Sequence, residues 1–233
     1  MSDFRGILFD KDGTLFDFSK TWEAWAASFL RRIGTDEHHA TLLGAAVGFD
    51  LPAKRFARDS IVIAGTPAEV AQALTHQLPG RSNAEILSLI NEEAEKAPQS
   101  EVVPLKPFIN ELKAKGYYVG VVTNDAEQPA RAHLDAAGVT SLFDFIAGFD
   151  SGFGAKPDAG QLLAFAKYMR IAPETVLMVG DSTHDLIAAE RAGMRAVGVL
   201  TGLADEQTLT PLADTVLAHI GHLPTWLDQQ KST

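Results

Sequence analysis

The sequence predicts an α/β protein: a parallel sheet flanked by helices, interrupted after its first strand by a helical insert. Three features carry this expectation. The apolar run Ile7-Leu8-Phe9 stops abruptly at Asp10-Lys11-Asp12-Gly13-Thr14 and reads as a buried central strand. From Asp17 to about Ala97 apolar residues recur at helical spacing and strand patterns are nearly absent. From Pro104 onward, short apolar runs alternate with helical stretches, which implies βαβ units.

In the insert, Trp22, Trp25, Ala26, Phe29 and Leu30 form one helix face, capped by Asp17 or Ser19 and closed by Gly34. A second helix is expected over 37–47, ending at Gly48, and a third opening at Asp50 and Pro52. Thr66-Pro67-Ala68-Glu69 and Ser82-Asn83-Ala84-Glu85 are capping boxes, and Pro79-Gly80 and Pro98 punctuate helix ends. Beyond Pro104, Phe108, Ile109 and Leu112 mark a helix ended by Gly116. Strands are expected over 117–122, 145–147, 176–179 and 196–199, with an edge strand at 215–217. Helices over 125–137, 158–169 and 183–192 separate them, with Gly138 and Gly193 as C-caps. The expected organisation is a core made of 1–16 and 99–233 and a cap made of 17–98.

Length and composition bound the function. The chain has 233 residues, 46% hydrophobic, enough for one sizeable core plus a smaller insert. A formal net charge of −10 makes nucleic acid and anionic membranes poor partners. The absence of cysteine excludes disulfides, thiolate metal sites and cysteine nucleophiles. No signal peptide or membrane-length apolar run is visible, so a cytoplasmic location is expected.

Four polar clusters follow expected strands: Asp10/Asp12, Thr123-Asn124, Lys156-Pro157 and Gly180-Asp181-Ser182-Thr183-His184-Asp185. In a parallel sheet all strand carboxyl ends lie on one edge, so the four can converge. Taken singly, each has a plainer explanation. Asp-x-Asp-Gly suits a turn, Thr123 and Asn124 suit a helix cap, and Lys156 suits a solvated lysine. Asp181 and Asp185, one helical turn apart, suit either Mg²⁺ or a helix N-terminus. Together they describe phosphoryl transfer. A carboxylate nucleophile forms an acyl phosphate, a second carboxyl moves protons, and lysine, hydroxyl and Mg²⁺ offset phosphate charge.

The four clusters, in this order, resemble the motifs of the haloacid dehalogenase (HAD) superfamily, in its phosphatase branch with a helical cap after the first motif. The resemblance spans about 4–199 and implies a Rossmann-like sheet of strand order 5-4-1-2-3. It implies Asp10 as nucleophile and Asp12 as general acid/base, with the Asp12 backbone carbonyl on Mg²⁺. It implies Thr123 on the phosphoryl group with Asn124 beside it, and Lys156 steadying nucleophile and phosphate. It implies Asp10, Asp181 and Asp185 as metal ligands, the last directly or through water. Gly13 and Thr14 would shape the turn toward the cap. Asp12 favours hydrolysis or mutase turnover over a long-lived acyl phosphate.

Lys11 departs from the apolar residue common in small phosphatases. Strand alternation points it away from the nucleophile, toward a structural or cap-facing role. Phosphoglycolate phosphatase-like members are the nearest match, which implies a small phosphate ester as partner and a monomer or homodimer. Lys54, Arg55 and Arg58, expected on one cap helix, either meet a second anionic group or form a solvated basic face. Trp22 and Trp25 are cap core or substrate platform, with Trp22 the better platform. His184 touches substrate or sits on the helix surface. Two alternatives stand beside the phosphatase: a β-phosphoglucomutase-like enzyme on the same core, and a phospho-acceptor signalling module.

Overall fold

The computed structural model describes residues 4–57 and 59–231. β1 (Gly6–Phe9) starts the sheet, and the insert follows it: α1 (Phe18–Ile33), α2 (Glu37–Ala46), β2 (Phe49–Asp50), β3 (Arg55–Phe56), α3 (Ile61–Ala64), α4 (Pro67–Thr75) and α5 (Asn83–Ala94). The chain then alternates through α6 (Leu105–Ala114), β4 (Tyr118–Val122), α7 (Glu127–Ala136), β5 (Phe145–Ala147), α8 (Gly160–Met169), β6 (Val176–Gly180), α9 (Thr183–Ala192) and β7 (Arg195–Val199). It closes with α10 (Glu206–Leu209), β8 (Thr215–Leu217) and α11 (Leu223–Lys231).

The sheet runs β5-β4-β1-β6-β7-β8, each neighbouring pair parallel. Numbered over these six strands alone and read from the β8 edge, the order is 6-5-4-1-2-3. It differs from the expected 5-4-1-2-3 by the outer strand β8. β1 is central because its side chains serve both faces. Ile7 and Phe9 join the cluster containing Leu105, Ile109 and Leu223, while Leu8 joins the one containing Phe165, Leu186 and Ala189. Successive strand residues point to opposite faces, so an all-apolar run fits only where helices cover both. Topology reverses at β1, with β4 on one side and β6 on the other, and the crevice beyond their carboxyl ends is where such sheets take ligands.

The insert has a core of its own, built from Phe29, Leu30, Leu43, Val70, Leu74 and Ile86 among others. Asp17 caps α1, its Oδ1 accepting from the Lys20 N–H at 3.0 Å, and both expected capping boxes form. The two chain crossings between insert and core run side by side. The Asp17 N–H donates to Ser100 O at 2.8 Å and the Val102 N–H to Leu15 O at 3.0 Å.

One expected helix is absent. The stretch opening at Asp50 and Pro52 is a two-stranded hairpin, β2 against β3. Asp50 caps a turn rather than a helix, accepting from the Ala53 N–H at 2.9 Å, and Lys54 takes the left-handed conformation at φ 53°. The Phe49 and Phe56 rings then meet across the hairpin, centroids 4.7 Å apart. Lys54 and Arg55 therefore share no helix face and are exposed on the hairpin; Arg58 lies outside the described residues. Among the described residues, no helix is long and apolar enough to cross a membrane.

Candidate active site

Asp10 follows the last residue of β1, and its N–H continues the ladder to Val179 O at 2.9 Å. Its carboxylate is thereby held at the sheet edge, nine-tenths buried. Lys156 reaches the same point from the loop before α8. Its Nζ donates to Asp10 Oδ1 at 2.6 Å, to Asp185 Oδ1 at 2.6 Å and to Val122 O at 3.0 Å. Three segments remote in sequence thus meet on one ammonium group. Burial alone would lower the Lys156 pKa, but Asp10 and Asp185 more than offset it and hold the amine above its ordinary value.

Asp10, Asp181 and Asp185 each offer a carboxylate oxygen, all within 4.8 Å of one another. All three are buried. Burial first, and the neighbouring carboxylates next, push the Asp10 carboxyl up to about 7 against the opposing Lys156. Burial, then Asp10 and Asp185, push Asp181 well above the ordinary carboxylate range. One lysine does not neutralise this cluster. An all-oxygen donor set with surplus negative charge is what a hard divalent cation needs, so these three residues fit the metal that the sequence implied.

Asp185 serves two roles at once. Its Oδ2 accepts from the Ser182 N–H at 3.0 Å and the Ser182 hydroxyl at 2.7 Å, capping α9, while its Oδ1 takes the lysine. Asp185 thus caps α9 and belongs to the cluster, whereas Asp181 belongs to the cluster without capping the helix. Asp181 is packed between two glycines. A Cβ on Gly13, which has φ 82°, or on Gly202 would overlap its carboxylate. Thr201, beside Gly202, donates its hydroxyl to Gly13 O at 2.6 Å and closes this loop pair. The loop after β7 therefore belongs to the site, although its sequence offers only a Thr-Gly turn.

Thr123 is buried at the end of β4, its Oγ1 accepting from the Asp125 N–H at 3.1 Å. Its hydroxyl hydrogen is not spent on that bond. The Asn124 side chain is more committed than expected. Nδ2 donates to Lys156 O at 2.8 Å and to Ala64 O in α3 at 2.7 Å, and Oδ1 accepts from the Lys156 N–H at 2.8 Å. It fixes the lysine loop and ties it to the insert, so its amide is occupied rather than open to a phosphate.

Lys11 pairs away from the Asp10 cluster, as alternation predicts, and it has partners that the sequence did not reveal. It is fully buried, with Nζ 2.8 Å from Asp12 Oδ2 and 3.1 Å from Asp125 Oδ2. It also donates to His133 Nδ1 at 2.8 Å and lies 5.4 Å from the Trp22 ring centroid. Asp12 and Asp125 hold the amine charged although burial opposes it. His133 Nδ1 must accept from the ammonium, so Nε2 carries the hydrogen and donates to Ala94 O of α5 at 2.7 Å. Burial, then the Lys11 cation, lower the His133 pKa to about 4. A chain of contacts thus runs from Asp12 through Lys11 and His133 to the insert. Asp12 Oδ1 is buried without a hydrogen-bond partner among the described residues.

The enclosed space beside this cluster is bounded on the sheet side by Asp10, Asp12, Thr123 and Lys156, and on the insert side by Trp22, Trp25, Val62, Ile63 and Val70. His184 also lines it, half-buried. Lys54 and Arg55 do not.

The model of the haloacid dehalogenase-like hydrolases matches residues 4–193. The chain belongs to that family. A probable phosphatase, IndB, of Dickeya dadantii is 29% identical over 84% of this chain and 81% of its own. A phosphoglycolate phosphatase of Aquifex aeolicus is 27% identical over 85% of both chains. The crystal structure of a putative haloacid dehalogenase-like hydrolase from Bacteroides fragilis covers 94% of this chain and 99% of its own at TM-score 0.73 and 24% identity, a likeness of fold. This chain is thus an enzyme of the HAD hydrolase family, with the family's Rossmann-like sheet.

Proposed function

We propose that the protein is a Mg²⁺-dependent phosphomonoesterase acting on a small soluble phosphate ester through an aspartyl phosphate on Asp10. The observation that carries this is the double grip of Lys156 on Asp10 and Asp185, which holds one carboxylate of the three-aspartate cluster buried and oriented, as a nucleophile requires. The names of the relatives point the same way, phosphatase for one and phosphoglycolate phosphatase for another.

In this reading Asp10 attacks phosphorus with the oxygen not held by Lys156. The P–O bond to the leaving alcohol breaks, and Asp12 delivers a proton to the departing oxygen. Asp12 then takes a proton from water as that water attacks the acyl phosphate, releasing inorganic phosphate and restoring the Asp10 carboxylate and the protonated Asp12 carboxyl. Asp12 Oδ1 is free for this, while Lys11 holds Oδ2 and fixes the carboxylate plane. Lys156 and the Thr123 hydroxyl donate to phosphoryl oxygens as charge builds on them. Asp10, Asp181, Asp185 and the Asp12 backbone carbonyl would hold Mg²⁺, which when bound offsets phosphoryl charge. Asn124 positions Lys156. The insert, 17–98, serves as the cap that excludes water and contacts the leaving group.

The test is release of inorganic phosphate from a panel of phosphate monoesters, with Mg²⁺ and with EDTA. Hydrolysis that requires the cation supports the reading. No turnover of any ester, or turnover indifferent to EDTA, overturns it.

A further inference from the structure

The wall that the insert presents to the reacting centre is strongly apolar. α3 is a run of four apolar residues, Ile61-Val62-Ile63-Ala64, yet none is buried. Val62, Ile63 and Ala64 instead line the enclosed space, joined by Trp22, Trp25 and Ile90 from neighbouring helices. A half-exposed apolar helix costs free energy unless something covers it. Its placement is held by the Asn124 bond to Ala64 O, so this face is fixed over the cluster.

Charge tells the same story. Asp10, Asp12, Asp125 and Asp185 line the space. The lysine among the lining residues, Lys156, is already paired with two of them. Lys11 lies behind Trp22, paired with Asp12 and Asp125. Among the described residues, the insert contributes no lysine or arginine to this wall. His184 lines the space from α9, on the sheet side, so a second anionic group facing the insert wall would be buried against apolar side chains with no lysine or arginine there, and an unpaired buried charge is among the costliest arrangements in a protein. One polar group faces the problem differently: Trp25 Nε1 is buried without a hydrogen-bond partner among the described residues, a donor suited to a neutral acceptor.

We propose that the leaving group is uncharged and mainly apolar, so that the substrates are alkyl or aryl phosphates rather than phosphates carrying a second anion. The proposal rests on the phosphatase reading and specifies its substrate class. The phosphoryl group sits among Asp10, Lys156 and Thr123, and the organic group lies against Val62, Ile63 and Trp25.

A homologous series separates the two ideas. Methyl, ethyl, butyl and hexyl phosphates have nearly equal intrinsic reactivity and differ in apolar area. 2-Phosphoglycolate is close to ethyl phosphate with its methyl replaced by carboxylate. With Mg²⁺ present, kcat/KM rises about fourfold per methylene through butyl, the factor expected for a buried CH₂. Ethyl phosphate exceeds 2-phosphoglycolate by about tenfold or more. Ile63→Lys supplies the missing cation, and its stem can lie along the same wall. It shifts the phosphoglycolate-to-ethyl ratio toward phosphoglycolate by about tenfold or more, and Val62→Lys is the second variant should the first not fold. A flat series, or wild-type preference for phosphoglycolate, overturns the proposal while methyl phosphate turnover leaves the phosphatase reading standing. If no ester in the series is hydrolysed, the phosphatase reading falls and the proposal falls with it.

Discussion

Replacing Asp10 with Asn removes a carboxylate that the metal-free protein holds at a cost. Burial, with Asp185 and Asp12 adding and Lys156 opposing, moves this carboxyl from 3.8 to about 7. A rise of about three units at about 1.4 kcal/mol per unit makes the ionised Asp10 destabilising by about 4 kcal/mol above pH 7. The sign follows from proton binding. The unfolded chain loses this proton near 3.8 and the folded protein near 7, so the cost grows as pH rises between those values and is constant above. A bound divalent cation cancels it by stabilising the folded state alone. The assay is urea unfolding of wild type and Asp10→Asn, in EDTA and in Mg²⁺, at pH 5.5 and pH 8. In EDTA at pH 8 the variant is more stable by a few kcal/mol, and about half of that gap is gone at pH 5.5. In Mg²⁺ the wild type gains stability and the variant gains much less. Catalysis is lost throughout. A variant equal to or less stable than wild type in EDTA at pH 8 would refute the reasoning, because burial and the neighbouring carboxylates would then not be penalising the Asp10 charge.

His133 is neutral in the fold, with a pKa of about 4 against an ordinary 6.5, so the stability it holds above 6.5 is lost as pH falls toward 4. The loss is about 3 kcal/mol, and His133→Gln flattens that part of the stability–pH curve measured by urea unfolding. Lys11→Met strands Asp12 and Asp125 without their shared cation and costs about 3 kcal/mol or more. Lys11→Met with Asp125→Asn recovers part of the loss; a single variant more stable than wild type contradicts the pairing. Gly202→Ala drives a methyl group into the Asp181 carboxylate. The Mg²⁺ concentration for half-maximal activity then rises by about tenfold or more, whereas an unchanged titration would place Asp181 outside the metal site.

Much of the sheet was legible because β1, β4 and β6 are short apolar runs with polar stops, and their helices end in glycine. Asp10, Lys156 and the Asp181/Asp185 pair were legible for a related reason. A buried carboxylate or lysine at a strand end has few uses, and the strand ends share one edge. The hairpin at Phe49–Phe56 was not, since Asp50 followed by Pro52 signals a helix start and a turn equally well. The decision lay with the Phe49–Phe56 contact, which only the paired structure creates. The Lys11–Asp125–His133 group was hidden because its members are separated in sequence and no motif spacing links them. Gly202 was hidden because its role is to have no side chain where Asp181 lies. The apolar wall over the site came from Ile61–Ala64, too short a run to distinguish a helix from a strand by pattern.

The central claim is that Asp10, two residues from Asp12 and met by Lys156, Asp181 and Asp185 from distant segments, is the phosphoryl acceptor. Its most direct test is to react Asp12→Ala with a phosphate ester carrying radioactive phosphorus, in Mg²⁺, quench in acid and map the labelled peptide. The account predicts a hydroxylamine-labile label on the peptide containing Asp10, dependent on Mg²⁺ and absent when Asp10→Asn is added. Label on another residue, or none in a variant shown to be folded and to bind the ester, would contradict it.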